Sequence, residues 1–330
     1  MNKKYKFNLI LGISSGVIFI LLIIFTNGWM DLIHQMKNLK ILWLMVAAFS
    51  MLFYWGFEAK TLQSVIFLIK KDYKFKEAFK VTMTGQYFNS ITPFASGGQP
   101  MQLYTLTKQE LGFGSAGSAL MIKFIIYQTI LTIYSLILIL WKATFFKSKM
   151  SNLFYLIAIG FTINASVIVC LIIFSKHRKL THKIIMKLSK ILTKLKLVKD
   201  IAKMETRIND NLEKFHDNME IVKHSKVLML KAVIYTICQL TIYFTIPYFI
   251  YRSFGMSGAS VGSMIAGTAF VIMLTAFIPL PGAIGGAEGA FFMFFTLFFL
   301  HNNIMAAILL WRIITFYSCI IFGFYAVMKD

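Results

Sequence analysis

The octapeptide PFASGGQP at residues 93–100 and the octapeptide PGAIGGAE at residues 281–288 share the pattern Pro-x-Ala-x-Gly-Gly, and both interrupt apolar sequence. Proline removes a backbone donor and blocks the continuation of a helix. Paired glycines adopt backbone conformations that other residues reach only with strain. Each copy is therefore predicted to break a helix, and the two copies together indicate an internal repeat.

The composition identifies the environment of these breaks. The 330 residues are 58% hydrophobic and 14% charged, with a mean hydropathy of +0.71, which no water-soluble globule could bury. A membrane crossing needs about 20 apolar residues. We therefore expect an all-α, polytopic membrane protein that forms a single membrane domain over residues 1–330, without room there for a second soluble catalytic domain. Apolar runs place about eight spans near 8–26, 41–59, 116–141, 153–175, 227–250, 258–278, 287–300 and 304–328.

Lysine density predicts the orientation of these spans. The N-terminal tail, residues 70–80 and residues 176–226 are rich in lysine and should be cytoplasmic. With eight crossings, both termini are then cytoplasmic.

The first break, in the half 41–141, lies between Lys80 and Lys108, which should both be cytoplasmic. The apolar segments on either side of the break should therefore enter and leave the membrane on the same side, as a re-entrant hairpin. The second break, in the half 227–328, is either a cytoplasmic turn between two full spans or a hairpin that enters from the opposite side. The second alternative would make the two halves inverted repeats. Broken backbone inside a bilayer must line a cavity or be buried in protein, and a pair of such breaks is typical of a transporter binding site.

Residues 176–226 form the one long polar stretch, and apolar residues recur there at helical spacing. We interpret the stretch as one or two basic amphipathic cytoplasmic helices. Its apolar stripe either packs on the membrane domain or lies on the surface of an anionic membrane. The stripe consists of Val198, Ile201, Met204, Ile208, Leu212, Phe215, Met219 and Val222.

Polar side chains concentrate around the first break, where unpaired amides would be costly in hydrocarbon. They either cap the broken backbone or face a polar ligand, and a helix N-terminus beside such a loop suits a phosphate. These polar side chains are Gln86, Asn89, Ser90, Thr92, Ser96, Gln99, Gln102 and Tyr104. The candidate substrate-binding residues of both breaks and the spans are Gln86, Asn89, Thr92, Pro93, Ser96, Gly97, Gly98, Gln99, Pro281, Gly285, Gly286, Glu288, Arg312 and Glu58.

Ionisable residues inside spans favour a functional interpretation. Only four of the 34 basic residues are arginine, so Arg312 in the last span suggests a need for bidentate contact. We expect Arg312 to pair with Glu288, either as a structural ion pair or as a clamp that a lipid headgroup opens. Lys123 lies in the third span, whereas Glu58 and Lys60 are expected to reach the interface near the end of the second.

Signatures of soluble enzymes are absent from the sequence. It contains no P-loop, no H-E-x-x-H and no G-x-S-x-G motif. The six histidines are scattered and the three cysteines lie in apolar runs, so no metal and no cofactor is expected. The basic stretches lack interleaved aromatic residues and adjoin spans, which argues against nucleic acid as a partner.

The segments GQYFNSITPFASGGQP (85–100) and IPLPGAIGGAEGAFF (278–292), with the basic central region, resemble the lysylphosphatidylglycerol synthase transmembrane family, the membrane region of the multiple peptide resistance factor proteins. The resemblance implies flippase-like movement of an aminoacylated phospholipid and resistance to cationic antimicrobial peptides. Full-length members add a C-terminal lysyltransferase domain, which these 330 residues do not include, so enzyme activity is left undecided.

Three alternatives remain at the level of sequence. In the first alternative, the protein is a lipid translocator. Its cargo is then an anionic or aminoacylated phospholipid such as lysylphosphatidylglycerol, or a polyprenyl-linked lipid. The protein is instead an integral-membrane lipid transferase with Glu288 or Glu58 as general base. In the third alternative it is a scaffold that binds a separate soluble synthase through 176–226. The oligomeric state is open.

Overall fold

The computed structural model describes residues 35–149, 154–194, 201–276 and 278–328. This part of the chain is helical and contains no strand. Its 13 α-helices are α1 (Ile41–Ile66), α2 (Phe75–Ser90), α3 (Gly98–Lys108), α4 (Phe113–Trp141), α5 (Ala143–Lys149), α6 (Phe154–Lys176), α7 (Arg178–Lys194), α8 (Ile201–His224), α9 (Lys226–Ser253), α10 (Val261–Thr275), α11 (Gly286–Phe295), α12 (Ile304–Arg312) and α13 (Ser318–Met328).

Five helical segments are long and apolar enough to cross a bilayer, so the chain is an all-α multi-pass membrane protein. They are Ile41–Ile66, Phe113–Trp141, Ala158–Lys176, Lys226–Ser253 and His301–Met328. The last is composite, because a π-helical turn at Ile313–Tyr317 joins α12 to α13. The span expected at 8–26 lies outside the described residues.

Helices α1 and α9 form an antiparallel pair that defines the two ends of the molecule. The Lys40 amide donates to the Ser253 carbonyl at 2.8 Å, so the start of α1 lies beside the end of α9. Ring contacts such as Tyr54 with Tyr243, 5.2 Å between centroids, continue along the pair. The lysine-rich segment 67–74 and the described parts of 176–226, which are 176–194 and 201–226, therefore lie at one end, called the basic end below. Residues 40 and 253–260 lie at the opposite end.

Two helical hairpins enter the bundle from opposite ends. Helices α2 and α3 pack together and both connect to the basic end. Helices α10 and α11 also pack together, but α10 begins where Gly262 approaches the ring of Trp141 at the opposite end, and Phe299, after α11, returns there to Phe254. At 1.5 Å per residue, the 15 residues of α10 and the 10 of α11 span about 22 Å and 15 Å, less than a hydrocarbon core of about 30 Å. The geometry thus matches the hairpin alternative for 258–300, not two full spans, and the hairpins are inverted.

Aromatic packing fixes the second hairpin in the bundle. Phe291 stacks on Phe295 with ring centroids 4.1 Å apart and meets Trp311 of α12 at 4.8 Å. Phe270 of α10 stacks on Phe294 at 4.8 Å. Lipid tails are as apolar as these side chains, so burying the side chains does little to drive helix association in a membrane. Close packing stabilises the contacts between the helices instead. Each aromatic pair adds about 0.5–1.5 kcal/mol.

The amphipathic stretch forms α7 and α8, and α8 packs against the first turns of α4. The Gly114 amide donates to Asn211 Oδ1 at 3.0 Å, and Asn218 donates to Ser115 Oγ at 3.0 Å. Phe215, from the apolar stripe, is buried. This face of α8 is thus covered by the membrane helices; Val198 lies outside the described residues, as do the side chains of Ile201 and Met204.

Candidate functional site

The first break is a 3₁₀ turn at Pro93–Ala95 between α2 and α3. Thr92 is extended (φ −120°, ψ 144°), and Phe94 and Ala95 then take left-handed conformations with φ of 54° and 50°. Left-handed backbone costs a residue with a side chain about 1–2 kcal/mol. These left-handed residues reverse the chain direction within a few residues, so both helices of the hairpin return to the same end of the molecule.

Side chains of the first hairpin cap its broken backbone. The Gly97 amide donates to Thr92 Oγ1 at 2.8 Å and the Gly98 amide donates to Asn89 Oδ1 at 3.0 Å. A Cβ atom on Gly98 would lie 2.1 Å from Asn89 Oδ1, so glycine is required for this approach. Asn89 and Thr92 therefore satisfy the start of α3, which is the capping alternative that the sequence left open.

The remaining predicted residues of the first break lie at its surface or at the start of α3. Ser96 is exposed and its hydroxyl donates to the Pro93 carbonyl at 2.8 Å. Gln99 is half-buried, and its side chain makes no hydrogen bond to any residue that the structure describes. Ser96 and Gln99 are thus the polar side chains of this turn that remain accessible to a ligand.

The second break repeats the same bend with different chemistry. Leu280 is extended (φ −110°, ψ 148°), Pro281 opens a 3₁₀ turn, and Gly282 and Ala283 take φ of 60° and 52°. A Cβ atom on Gly282 would lie 2.1 Å from the ring of Phe316, so the space at this position requires glycine. Pro281 and Gly282 therefore correspond to Pro93 and Phe94 in backbone shape.

A buried ion pair holds the second break. Arg312 is 4% exposed, and its Nε donates to Glu288 Oε1 at 2.7 Å while Nη1 donates to the Gly282 carbonyl at 3.0 Å. Glu288 Oε2 accepts from the Gly285 amide at 2.7 Å and so caps α11. Gly286 opens α11, where a Cβ would overlap Ile278. The expected Arg312–Glu288 pair is present; a role in binding substrate stays a prediction.

One donor of this cluster has no partner. Arg312 Nη2 is buried and makes no hydrogen bond within the described part of the chain. The guanidinium lies between the rings of Trp311 and Phe316, 5.1 Å and 5.3 Å from their centroids. The cation is therefore held in position by both rings and retains one free donor.

The tips of the two hairpins touch each other. The turn Pro93–Ala95 contacts the turn Pro281–Ala283, and α2 also contacts the second turn. The tips are not sealed by protein, because Phe94 is 61% exposed and Leu280 is 49% exposed. Two breaks 188 residues apart in the chain are thus in contact, and part of the surface at the contact is exposed.

A second buried pair lies deeper in the bundle and corrects a prediction. Glu58 Oε1 accepts from Lys123 Nζ at 2.6 Å and Oε2 accepts from Gln86 at 2.6 Å. Glu58 is 8% exposed, so the interfacial position expected for it is wrong; the neighbouring Lys60 is exposed and contacts Gln63 and the ring of Phe75. A charge in mid-bundle is tolerable because its partner and Gln86 replace the water it has lost.

A polar cavity of about 140 Å³ adjoins this pair. Gln86 belongs to both, since it bonds Glu58 and lines the cavity. The polar residues that line the cavity are Tyr54, Gln86, Ser90, Tyr127, Tyr243, Thr315 and Cys319. Sequence reasoning missed the three tyrosines, because a tyrosine in an apolar run gives no signal of which helix it faces.

The described residues contain no candidate metal site. They contain no group of three or more His, Cys, Asp or Glu side chains that could hold an ion. The site consists instead of hydrogen-bond donors, two ion pairs and apolar walls. Such an arrangement can bind a charged headgroup without bond-making chemistry.

The chain matches the model of a known protein family. A family model described as the lysylphosphatidylglycerol synthase TM region matches residues 9–323, nearly the whole chain. A search of curated proteins finds no match.

Proposed function

Since the chain belongs to the lysylphosphatidylglycerol synthase transmembrane family, a membrane lipid-related function follows, and we propose that it moves a phospholipid between the two leaflets of the bilayer. The proposed cargo is anionic or aminoacylated, such as lysylphosphatidylglycerol. Its movement would make the outer surface less negative and contribute to resistance against cationic antimicrobial peptides. The proposed location is the bacterial cytoplasmic membrane, with the lysine-rich end in the cytoplasm.

The observation that carries this proposal is the contact between the two hairpin tips. Each hairpin reaches the tip contact from a different end of the molecule, and the tip surface is partly exposed. A charged headgroup crossing hydrocarbon alone faces a large barrier, because its charge loses water without replacement. A headgroup that follows the exposed tips would keep polar contacts while its acyl chains stay in lipid.

The ion pair at the second tip contains one cation and one anion, which would complement the phosphate and the ammonium of an aminoacylated phospholipid. We propose that Arg312 binds the phosphate, using its free Nη2 donor first, and that Glu288 binds an ammonium. Arginine is suited to this exchange because its planar guanidinium binds phosphate and carboxylate in similar geometry. Substrate would thus replace the internal pair without leaving a bare buried charge.

At the first tip, Ser96 and Gln99 are the proposed contacts to the headgroup. Asn89 and Thr92 would act indirectly, by holding Gly97 and Gly98 in the bend. No P-loop is present in the sequence, so we propose that a lipid gradient or an ion gradient drives transport.

The transferase alternative has less support. A general base needs an oxygen that faces the substrate proton. Both oxygens of Glu288 accept hydrogen bonds, from Arg312 and the Gly285 amide, and both oxygens of Glu58 accept from Lys123 and Gln86. These contacts favour carboxylates that position neighbouring groups. A new lipid made by the purified protein from lysyl-tRNA would establish the transferase instead.

Transport can be measured in liposomes that contain the purified protein and labelled lipid in one leaflet. An impermeant amine-reactive reagent follows lysylphosphatidylglycerol, and parallel liposomes carry labelled phosphatidylglycerol or a polyprenyl-linked phosphate. We expect faster crossing of the first two lipids than in protein-free liposomes. Crossing of both at the protein-free rate would reject these cargoes, and acceleration of the polyprenyl lipid alone would reassign the cargo.

A charge-free variant tests the role of the ion pair. Glu288→Gln combined with Arg312→Met removes both charges without leaving one unpaired, and we expect at least about tenfold slower transport, corresponding to about 1.4 kcal/mol in the barrier. Glu213→Gln, which changes an exposed carboxylate of α8, is the matched control and should transport at the wild-type rate. Equal rates for the double variant and wild type would remove the pair from the transport path.

A further inference from the structure

A cavity separate from the hairpin tips opens between α4, α6 and α8 at the basic end. It has a volume of about 590 Å³ and shares no lining residue with the polar cavity beside Glu58 and Lys123. One part is walled by isoleucines of the spans: Ile122, Ile125, Ile126 and Ile172. The other part, at the end of α6 and the start of α7, is lined by Ser175, Lys176, Arg178, His216 and Glu220. The apolar part of the cavity suits an acyl chain, and the charged mouth suits a lipid headgroup.

His216 provides a buried polar atom without a partner in this cavity. The residue is 6% exposed, and its Nε2 makes no hydrogen bond to any described residue, while the ring bonds the backbone of Ser175 through its other nitrogen. Burial, and secondly the charge of Arg178, lowers the pKa of His216. The lowered pKa favours the neutral ring, in which Nε2 can accept a hydrogen bond from a donor that a ligand brings.

The charges around the mouth are unequal. Asp217 pairs with Arg178 at 2.7 Å, and Glu220 lies 3.4 Å from His224, an ion pair only when that ring is protonated. Lys176 has no ionic partner in the described ranges. Helix α7, which begins at the mouth, has six Lys or Arg residues and no Asp or Glu. The mouth thus attracts negative charge, as basic segments at a membrane surface do.

We propose that this cavity holds one anionic glycerophospholipid with a hydroxylated headgroup, as a bound lipid of the basic-end leaflet. Its phosphate pairs with Lys176 and also accepts from Arg178, whose guanidinium it shares with Asp217. One acyl chain follows the isoleucines, and a headgroup hydroxyl donates to His216 Nε2. The bound lipid links α8 to the spans and so stabilises the docked position of the cytoplasmic helices. This site is distinct from the proposed transport path and does not depend on it.

Native mass spectrometry of the full chain tests the site with three lipids of identical acyl chains. Phosphatidylglycerol has phosphate and hydroxyls, phosphatidylmethanol has phosphate without a hydroxyl, and phosphatidylcholine has no net charge. We expect one molecule of phosphatidylglycerol to be retained about tenfold more tightly than phosphatidylcholine, with phosphatidylmethanol between them. Equal retention of all three lipids would overturn the proposal.

Variants assign the contacts. His216→Phe should lower phosphatidylglycerol retention to the level of phosphatidylmethanol, whereas His216→Gln, whose amide oxygen still accepts, should keep part of the difference. Lys176→Gln changes an exposed side chain, so the fold is preserved, and it should weaken both anionic lipids several-fold. Lys187→Gln, an exposed lysine of α7 that does not line the cavity, is the matched control. Equal losses in Lys176→Gln and Lys187→Gln would indicate general surface attraction and contradict the site.

Discussion

The two breaks have the same backbone bend and opposite polar chemistry. In each, an extended residue precedes proline, and two left-handed residues follow it. The first break is then capped by neutral groups of Asn89 and Thr92, whereas the second is capped by the charged Glu288, which Arg312 neutralises. The difference teaches that local sequence determines the shape of the bend, while the neighbouring helices determine its charge.

The same comparison explains why one bend has phenylalanine where the other has glycine. Phe94 is 61% exposed, so its ring points away from the bundle and only the backbone is strained. Gly282 lies under Phe316, next to the guanidinium of Arg312, and no side chain fits there. Closer packing of the second turn against the last span is therefore what requires glycine.

Loss of the cation at the second break should have the largest effect. Arg312→Met leaves the carboxylate of Glu288 buried without its partner, and we expect unfolding in detergent to become easier by about 3–5 kcal/mol. Arg178→Met is the matched control, because Arg178 and Asp217 are also 2.7 Å apart but are 59% and 52% exposed. That change should cost at most about 1 kcal/mol. Equal losses from the two substitutions would contradict the buried character of the pair.

Exchange of the residues at the equivalent left-handed position should have the next largest effect. Gly282→Phe adds both strain and overlap with Phe316, and should reduce the free energy of unfolding by about 3 kcal/mol. The reciprocal Phe94→Gly relieves strain and should be neutral or stabilise by up to about 1 kcal/mol. Thermal unfolding of both variants measures the asymmetry, and a similar loss in each would show that the two bends are packed alike.

Removal of a neutral cap at the first break should cost less. Asn89→Leu leaves the Gly98 amide without an acceptor, and we expect a loss of about 1–2 kcal/mol in stability. Asn89→Asp keeps an oxygen in the same place and serves as the control, with a smaller loss. If the leucine variant were as stable as wild type, the amide of Gly98 would have another acceptor, and Asn89 would be available for substrate.

Ser96→Ala should have the smallest effect on stability and separates capping from binding. The hydroxyl is exposed, so unfolding should change by no more than about 0.5 kcal/mol. If Ser96 contacts the headgroup, transport in liposomes should slow about threefold, the effect of one modest hydrogen bond. Unchanged transport would leave Ser96 as part of the turn only.

Part of the site was predictable because its signal is local. Pro93 and Pro281, each followed by a glycine pair, stop a helix whatever surrounds them, and the backbone breaks at both. The pairing of Arg312 with Glu288 was also predictable, since two opposite charges in apolar sequence are costly apart.

The deeper polar groups were not predictable in the same way. Glu58 lies near the end of its predicted span, which indicated an interfacial side chain, yet α4 brings Lys123 to it in the bundle. Nothing in the sequence around His216 indicates burial, yet packing against α6 leaves it 6% exposed. In both residues the neighbour that determines the environment is distant in the chain.

The sequence by itself determined the membrane location, the helical class and the position of both breaks, because composition, backbone donors and left-handed conformations act within a few residues. Only the tertiary structure decided that the breaks meet tip to tip, that Glu58 pairs with Lys123 and that tyrosines line a cavity. The physical reason is that membrane helices are apolar on every side, so hydrophobic periodicity does not distinguish a lipid-facing side from a protein-facing one. Only the packed helices make that distinction.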